Sequence, residues 1–202
     1  MSFSGGQDSA AARGEAPAAA RVYSLQDLRV GPHHQRLRDG RSLVIRPIEP
    51  GDAPAWLAFL RGLSWATRYL RGARRAEDLG VEEIRRATAP DPQQELALVA
   101  AVEGGAELAG VARLVLYAGG KGGELTLVVA DDWQHRGVGH RLLAALLALA
   151  EEHGVLEIEA NVLATNRGML ALLDEQGFVA EPQRPGEVSV RAVRSLAYRT
   201  PE

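Results

Sequence analysis

The chain of 202 residues contains no cysteine. Disulfides, thiolate metal sites and a cysteine nucleophile are therefore excluded, and the composition fits a reducing cytoplasm. Net charge is also scarce, at −3. Such a chain has no strong field for nucleic acid or an anionic membrane, and neither is expected as a partner. Long apolar runs are missing. The longest is Leu142–Ala150, too short to cross a bilayer. The first residues carry no apolar signal-like core, because Asp8 and Arg13 interrupt them. The histidines are dispersed at 33, 34, 135, 140 and 153 with no metal-ligand spacing, so no metal is expected. These absences predict a soluble, cytoplasmic protein.

What is present is ordinary for a globular domain, at 46% hydrophobic and 24% charged. The length suits one domain with a sizeable core. Residues 1–38 are rich in Ala, Gly, Ser and Arg with little periodicity. They read as a flexible tail in which SLQDLRV (24–30) could dock locally, too short for a further large domain. The folded domain is expected over 39–202. SLVIRPI (42–48) reads as a strand, and DAPAWLAFLRGL (52–63) as a helix with Asp52 at its N-cap. An arginine-rich helical region follows, with Arg68, Arg71, Arg74, Arg75, Arg85 and Arg86 interleaved by acids. It reads as a salt-bridged solvated face, or else as a patch for an acidic partner. ELALVAAV (95–102), ELAGVARLVLY (107–117) and ELTLVVA (124–130) are joined by glycine-rich turns that suit only an antiparallel meander. A helix over 137–153 ends at Gly154; its Leu142–Ala150 stripe is core packing. VLEIEANVL (155–163) is a strand, TNRGMLALLDEQ (165–176) a helix, and two strands close the chain. The order β-α-α-β-β-β-α-β-α-β-β predicts a mixed, mostly antiparallel α/β (α+β) sheet flanked by helices.

The stretch DDWQHRGVGHRLL (131–143) places two glycines between a β-branched run and a leucine-rich helix. A helix N-terminus offers unsatisfied N–H groups and partial positive charge. Glycines let an anion approach the backbone. Arg136, His140 and Arg141 add donors, so 135–141 is a candidate diphosphate seat; a plain tight turn explains the glycines equally well. A P-loop needs G-x-x-x-x-G-K-S/T, which the lysine in GGKGG (119–123) does not satisfy; that segment reads as a hairpin turn. A dinucleotide fingerprint needs a third glycine where Leu142 stands, although Glu159 mimics its ribose acid. DDWQHR also separates strand from glycine, and an antiparallel meander fits a βαβ unit poorly.

Gln134, Gly137 and Gly139 satisfy Q/R-x-x-G-x-G/A. VVADDWQHRGVGHRLL resembles the acyl-CoA-binding motif of the GNAT superfamily of N-acyltransferases, and TNRGMLALLDEQGF resembles the family's asparagine-bearing helix followed by Gly-Phe. The resemblance spans about residues 41–195. IRPIEPGDAPAW, LSWATRYLR, the Glu124 strand and NRGML are similar to the acetyltransferase domain of bacterial protein-lysine acetyltransferases that modify acyl-CoA synthetases. The resemblance implies acetyl transfer from acetyl-CoA to an amine in a ternary complex, without a metal. It implies cofactor contacts from backbone around Leu127, Val128, Val129 and Ala130, from Gln134, His135, Arg136, Gly137, Val138, Gly139, His140 and Arg141, and from Asn166.

A lysine amine, with a pKa of about 10.4, is mostly protonated near neutrality and needs a base. Glu124 matches the family's glutamate and is the candidate; a solvated strand-edge glutamate is the plain alternative. Asp131 and Asp132 lie near the diphosphate end and suit capping. Asn166 could also cap its helix. Many relatives carry a thiolate-protonating tyrosine where this chain has Leu173, so the acid is unassigned: either the thiolate, a fair leaving group, needs none, or Tyr69 or Tyr117 is recruited. The expected acceptor is a protein lysine. A small amine, or a non-catalytic acyl-CoA sensor, remains the alternative.

Overall fold

The computed structural model describes residues 33–37, 39–71, 76–184 and 186–196. The strands are β1 (His33–Arg36), β2 (Ser42–Pro47), β3 (Glu95–Val102), β4 (Leu108–Leu116), β5 (Gly122–Val129), β6 (Glu157–Leu163), β7 (Val179–Ala180) and β8 (Ser189–Ser195). The helices are α1 (Ala53–Gly62), α2 (Trp65–Arg71), α3 (Val81–Thr88), α4 (Val138–Glu152) and α5 (Arg167–Glu175). The strands form one sheet in the order β1-β2-β3-β4-β5-β6-β8-β7. Every neighbouring pair is antiparallel except β5 and β6. This is the expected mixed sheet, with one strand and one helix more than the expected order.

Helices cover both faces of the sheet, which explains why β3 does not alternate. Leu96, Ala97, Leu98, Val99 and Ala100 are all fully buried. On one face, Leu142, Leu143, Leu146 and Leu149 of α4 pack with Leu96, Leu98, Leu114, Leu125 and Ile158. Burying each such leucine contributes about 1.5–3 kcal/mol, so the leucine stripe anchors α4. On the other face, Trp56, Phe59 and Leu60 of α1 pack with Ala97, Val99, Val111 and Val128. α4 stops at Gly154, which takes the left-handed φ of 77° while Val155 donates back to Ala150.

Three expectations need correction. The tail boundary near residue 38 cuts into the sheet: His33–Arg36 pairs with β2, and Leu37 is buried in the core. SLQDLRV (24–30) lies outside the described residues, as do Arg74 and Arg75. Asp52 stands at the N-cap of α1 but makes no cap bond. Its carboxylate is taken by the Arg46 guanidinium at 2.6 and 2.7 Å and by the Glu49 N–H at 2.9 Å. A bidentate charged partner outcompetes the helix N–H groups. Finally, β5, α4 and β6 do form a parallel βαβ unit after the meander. The arginine-rich region resolves into α2 and α3, where Arg85 and Arg86 pair with Glu82 on an exposed face.

Candidate active site

β5 and β6 pair only at Gly122–Glu157, Gly123–Ile158 and Glu124–Glu159. Beyond Glu124 they part, while β6 stays paired with β8 as far as Leu163. The gap opens into a cavity of about 790 Å³. One wall is β5 from Leu125 to Val129; the other is Asn161 and Val162 of β6 with Asn166, Met169 and Leu172 around α5. Thr67 and Leu70 of α2 roof it, and the turn 133–141 closes one end.

That turn is shaped by two unusual backbone positions. His135 has φ 58° and Gly137 has φ 81°. Gly137 is the N-cap of α4, a left-handed position that disfavours a side chain. The first helical bond runs from Arg141 N to the Gly137 carbonyl. The N–H groups of Val138, Gly139 and His140 precede it and have no helical acceptor. A Cβ on Gly139 would lie 3.3 Å from Leu172 and 3.7 Å from Leu127 and Val129, so this turn nests closely between the cavity walls and a side chain here would press on Leu172. Basic side chains surround this helix end. Arg136 donates to the Asp132 carbonyl at 2.8 Å and to Asp39 at 2.7 Å. Arg141 bonds the Gly137 carbonyl and Gln35, and His140 pairs with Glu175.

Glu124 sits at the opposite end of β5, about 17 Å from Val129 at ~3.4 Å per strand residue. It is half-buried. It adjoins the cavity rather than lining it: Leu125, beside it, and Asn161, which donates to its Oε1 at 3.1 Å, both do. Glu159 faces it across the last rung. The Tyr117 hydroxyl and Arg191 both bond Glu159. These partners, Tyr117 first, hold the Glu159 carboxyl below its usual range, so it stays ionised. Its place at the far end from Gly137 removes the dinucleotide reading.

An acetyltransferase (GNAT) family model matches residues 59–178. The chain belongs to the acetyltransferase (GNAT) family. It is thereby an acyl-CoA-dependent N-acetyltransferase. An acetyltransferase of Pseudomonas aeruginosa is 30% identical over 165 residues, spanning 81% of this chain and 88% of that protein. The GNAT domain of S. lividans PAT superposes with a TM-score of 0.72 at 28% identity, covering 82% of this chain and 97% of that one. The spermidine N-acetyltransferase from Vibrio cholerae, solved with CoA and spermine, shares the fold with a TM-score of 0.61 at 19% identity, over 76% and 95% of the two chains.

In the acetyltransferase, Leu127, Val128, Val129, Gln134 to Arg141 and Asn166 all line the cavity. Asn166 caps α5, its Oδ1 accepting from Met169 N at 3.1 Å. Asp131 is structural: it accepts from Ser64 N, Ser64 Oγ and Thr67 Oγ1, fastening α2 to the end of β5. Burial raises its carboxyl, yet those bonds outweigh burial and hold it below the usual range. Leu173 is buried in the core, so no acid comes from that position. Tyr117 commits its hydroxyl to Glu159; burial first, then that bond, pushes it up to about 12. Tyr69 stacks on Trp65 at 5.2 Å between centroids. Neither tyrosine is among the cavity-lining residues. Asp39, Thr67 and Asn161 line the site but carry no local sequence signal. Among the described residues no group of three or more His, Asp or Glu side chains could hold a metal, and no helix is long and apolar enough to cross a membrane.

Proposed function

We propose that the chain transfers an acetyl group from acetyl-CoA to a lysine amine of a cytoplasmic protein, such as an acyl-CoA synthetase. The observation that carries this reading is the cleft itself: a helix N-terminus with free N–H groups at one end of β5 and a half-buried carboxylate at the other. The resemblance of IRPIEPGDAPAW, LSWATRYLR, the Glu124 strand and NRGML to protein-lysine acetyltransferases supports a protein acceptor over a small amine.

The residues present fit acetyl-CoA. Val138, Gly139 and His140 N–H groups, with Arg136 and Arg141, would hold the diphosphate. The unpaired edge of β5 from Leu125 to Val129 would hold the pantetheine arm as an added strand. Asn166 borders the same cavity. Acetyl-CoA supplies an activated carbonyl with a thiolate leaving group. Glu124 takes a proton from the acceptor ammonium, so that the freed amine can form its C–N bond as the C–S bond breaks. A backbone N–H of β5 near Leu127 would stabilise the charge growing on the carbonyl oxygen. The surplus proton left on that nitrogen neutralises the departing thiolate, whose thiol has a pKa of about 8.5 by analogy with cysteine, so no tyrosine acid is needed.

Acetyl-labelled CoA, the purified protein and an extract split into protein and small-molecule fractions test this, with Glu124→Gln as control. Label in a few protein bands, lost in the control, is expected. Label only in small molecules would replace the acceptor with a small amine. Label in neither fraction despite binding would leave a sensor.

A further inference from the structure

We infer that Asn161 is the positioning residue for Glu124, holding its carboxylate over the acyl end of the cleft. The inference rests on the reading of Glu124 as the base. The two residues stand on opposite walls. Glu124 is the last residue of β5 paired with β6, and its rung partner is Glu159. Asn161 lies two residues beyond Glu159, on the same face of β6 and past the point where the strands part. Its backbone is fixed by pairing with Arg191 on β8. From that fixed wall its amide reaches diagonally back across the opening to Glu124 Oε1, at 3.1 Å.

The bond has a task that a lone surface contact does not. Glu124 and Glu159 are like charges directly opposite one another, an arrangement that drives the side chains apart. Glu159 cannot yield, because Tyr117 and Arg191 hold it in place and Arg191 is braced in turn by Glu181. Glu124 is the side chain free to swing away. Among the described residues Asn161 is the donor that restrains it, and no bond is made to Oε2. One oxygen is thus fixed while the other is left to take the acceptor's proton. Asn161 itself is exposed in the open cleft. The bond therefore adds little to folding, and it strengthens when cosubstrate and acceptor exclude water from it.

A double-mutant cycle tests this. The wild-type chain, Asn161→Ala, Glu124→Gln and the double variant are compared by initial rates of label transfer from acetyl-CoA to the protein fraction of an extract. Asn161→Ala should lower the rate about 10- to 100-fold, since a misplaced catalytic group costs up to about that much. The apparent KM for acetyl-CoA and the thermal midpoint should stay near wild type. In the Glu124→Gln background the same substitution should cost almost nothing, because its effect passes through Glu124. Asn161→Asp, which keeps the size but replaces the donor with a third carboxylate, should be at least as slow as Asn161→Ala. If Asn161→Ala is as fast as wild type, or costs the same in both backgrounds, the positioning role is overturned while Glu124 keeps its own. A fully active Glu124→Gln removes the base, and the positioning role with it.

Discussion

Gln134 reaches back from the glycine turn and donates its side-chain amide to the Val129 carbonyl at 3.1 Å and to Thr67 Oγ1 at 3.2 Å. One side chain thus ties the end of β5 and the roof helix α2 to the loop proposed to hold the diphosphate. Removing it in Gln134→Ala breaks two bonds worth about 0.5–1.5 kcal/mol each. Acetyl-CoA affinity, read by titration calorimetry, should fall by about tenfold. An unchanged dissociation constant would show that the loop keeps its shape unaided.

Gly137→Ala should damage the same seat by a different route. At φ 81° a Cβ is strained, a cost of about 1–2 kcal/mol, and it would also meet the Arg141 guanidinium at 2.6 Å. The long Arg141 side chain can move, so the backbone penalty decides the outcome. The thermal midpoint should drop by a few degrees. Its upward shift on adding acetyl-CoA should shrink, because the N–H groups of Val138 and Gly139 turn away.

How much of this could be read in advance varied with the range of the interactions. β3 was expected over the residues it occupies, because a run of fully apolar residues bounded by turn signals is local information. The Gly137 turn and α4 were legible for the same reason. β1 was not: HHQR has neither alternation nor apolar residues, and it is a strand only because β2 offers an edge. Asp52 carries the sequence signature of a helix cap because capping is a local rule, and Arg46 overrides it through a turn that no periodicity records. The site divides likewise. The segment 134–141 at one end of the cleft is contiguous in the chain and legible as a unit. Asp39, Thr67 and Asn161 reach the cleft from three other elements. Asn161 shares parity with Glu159 in its strand, but nothing in the sequence tells where β5 and β6 part.

The Arg46–Asp52 pair makes stability depend on pH. Burial raises the Asp52 carboxyl, but the Arg46 and Glu49 hydrogen bonds outweigh it and hold it below the usual aspartate range. A depressed carboxyl contributes stability above its unfolded value, near 3.9, and loses that contribution as pH falls through the folded value. Wild-type stability should therefore drop steeply below about pH 4. Asp52→Asn should be less stable at pH 7 by about 1–3 kcal/mol, since it leaves a half-buried guanidinium with only the more distant Glu49 as a counter-charge. Its denaturation midpoint should also change less between pH 5 and pH 3 than that of wild type. Parallel curves for the two proteins would assign the acid sensitivity to other carboxylates.

In the proposed reading Glu124→Gln separates binding from chemistry, because the side chain lies at the opposite end of β5 from the Gly137 turn. Glutamine is nearly the same size and fills the same place beside Asn161, but it cannot take a proton. The rate constant for transfer should fall by about 10²–10⁴, while acetyl-CoA affinity stays within about twofold of wild type. A loss of affinity without a loss of rate would place Glu124 among the binding groups instead. Raising the pH tests the same point. An acceptor amine that is already deprotonated no longer needs a base, so the gap between variant and wild type should narrow as pH approaches the amine value of about 10.4. A gap that stays constant up to that pH would mean that Glu124 acts on something other than the acceptor's proton.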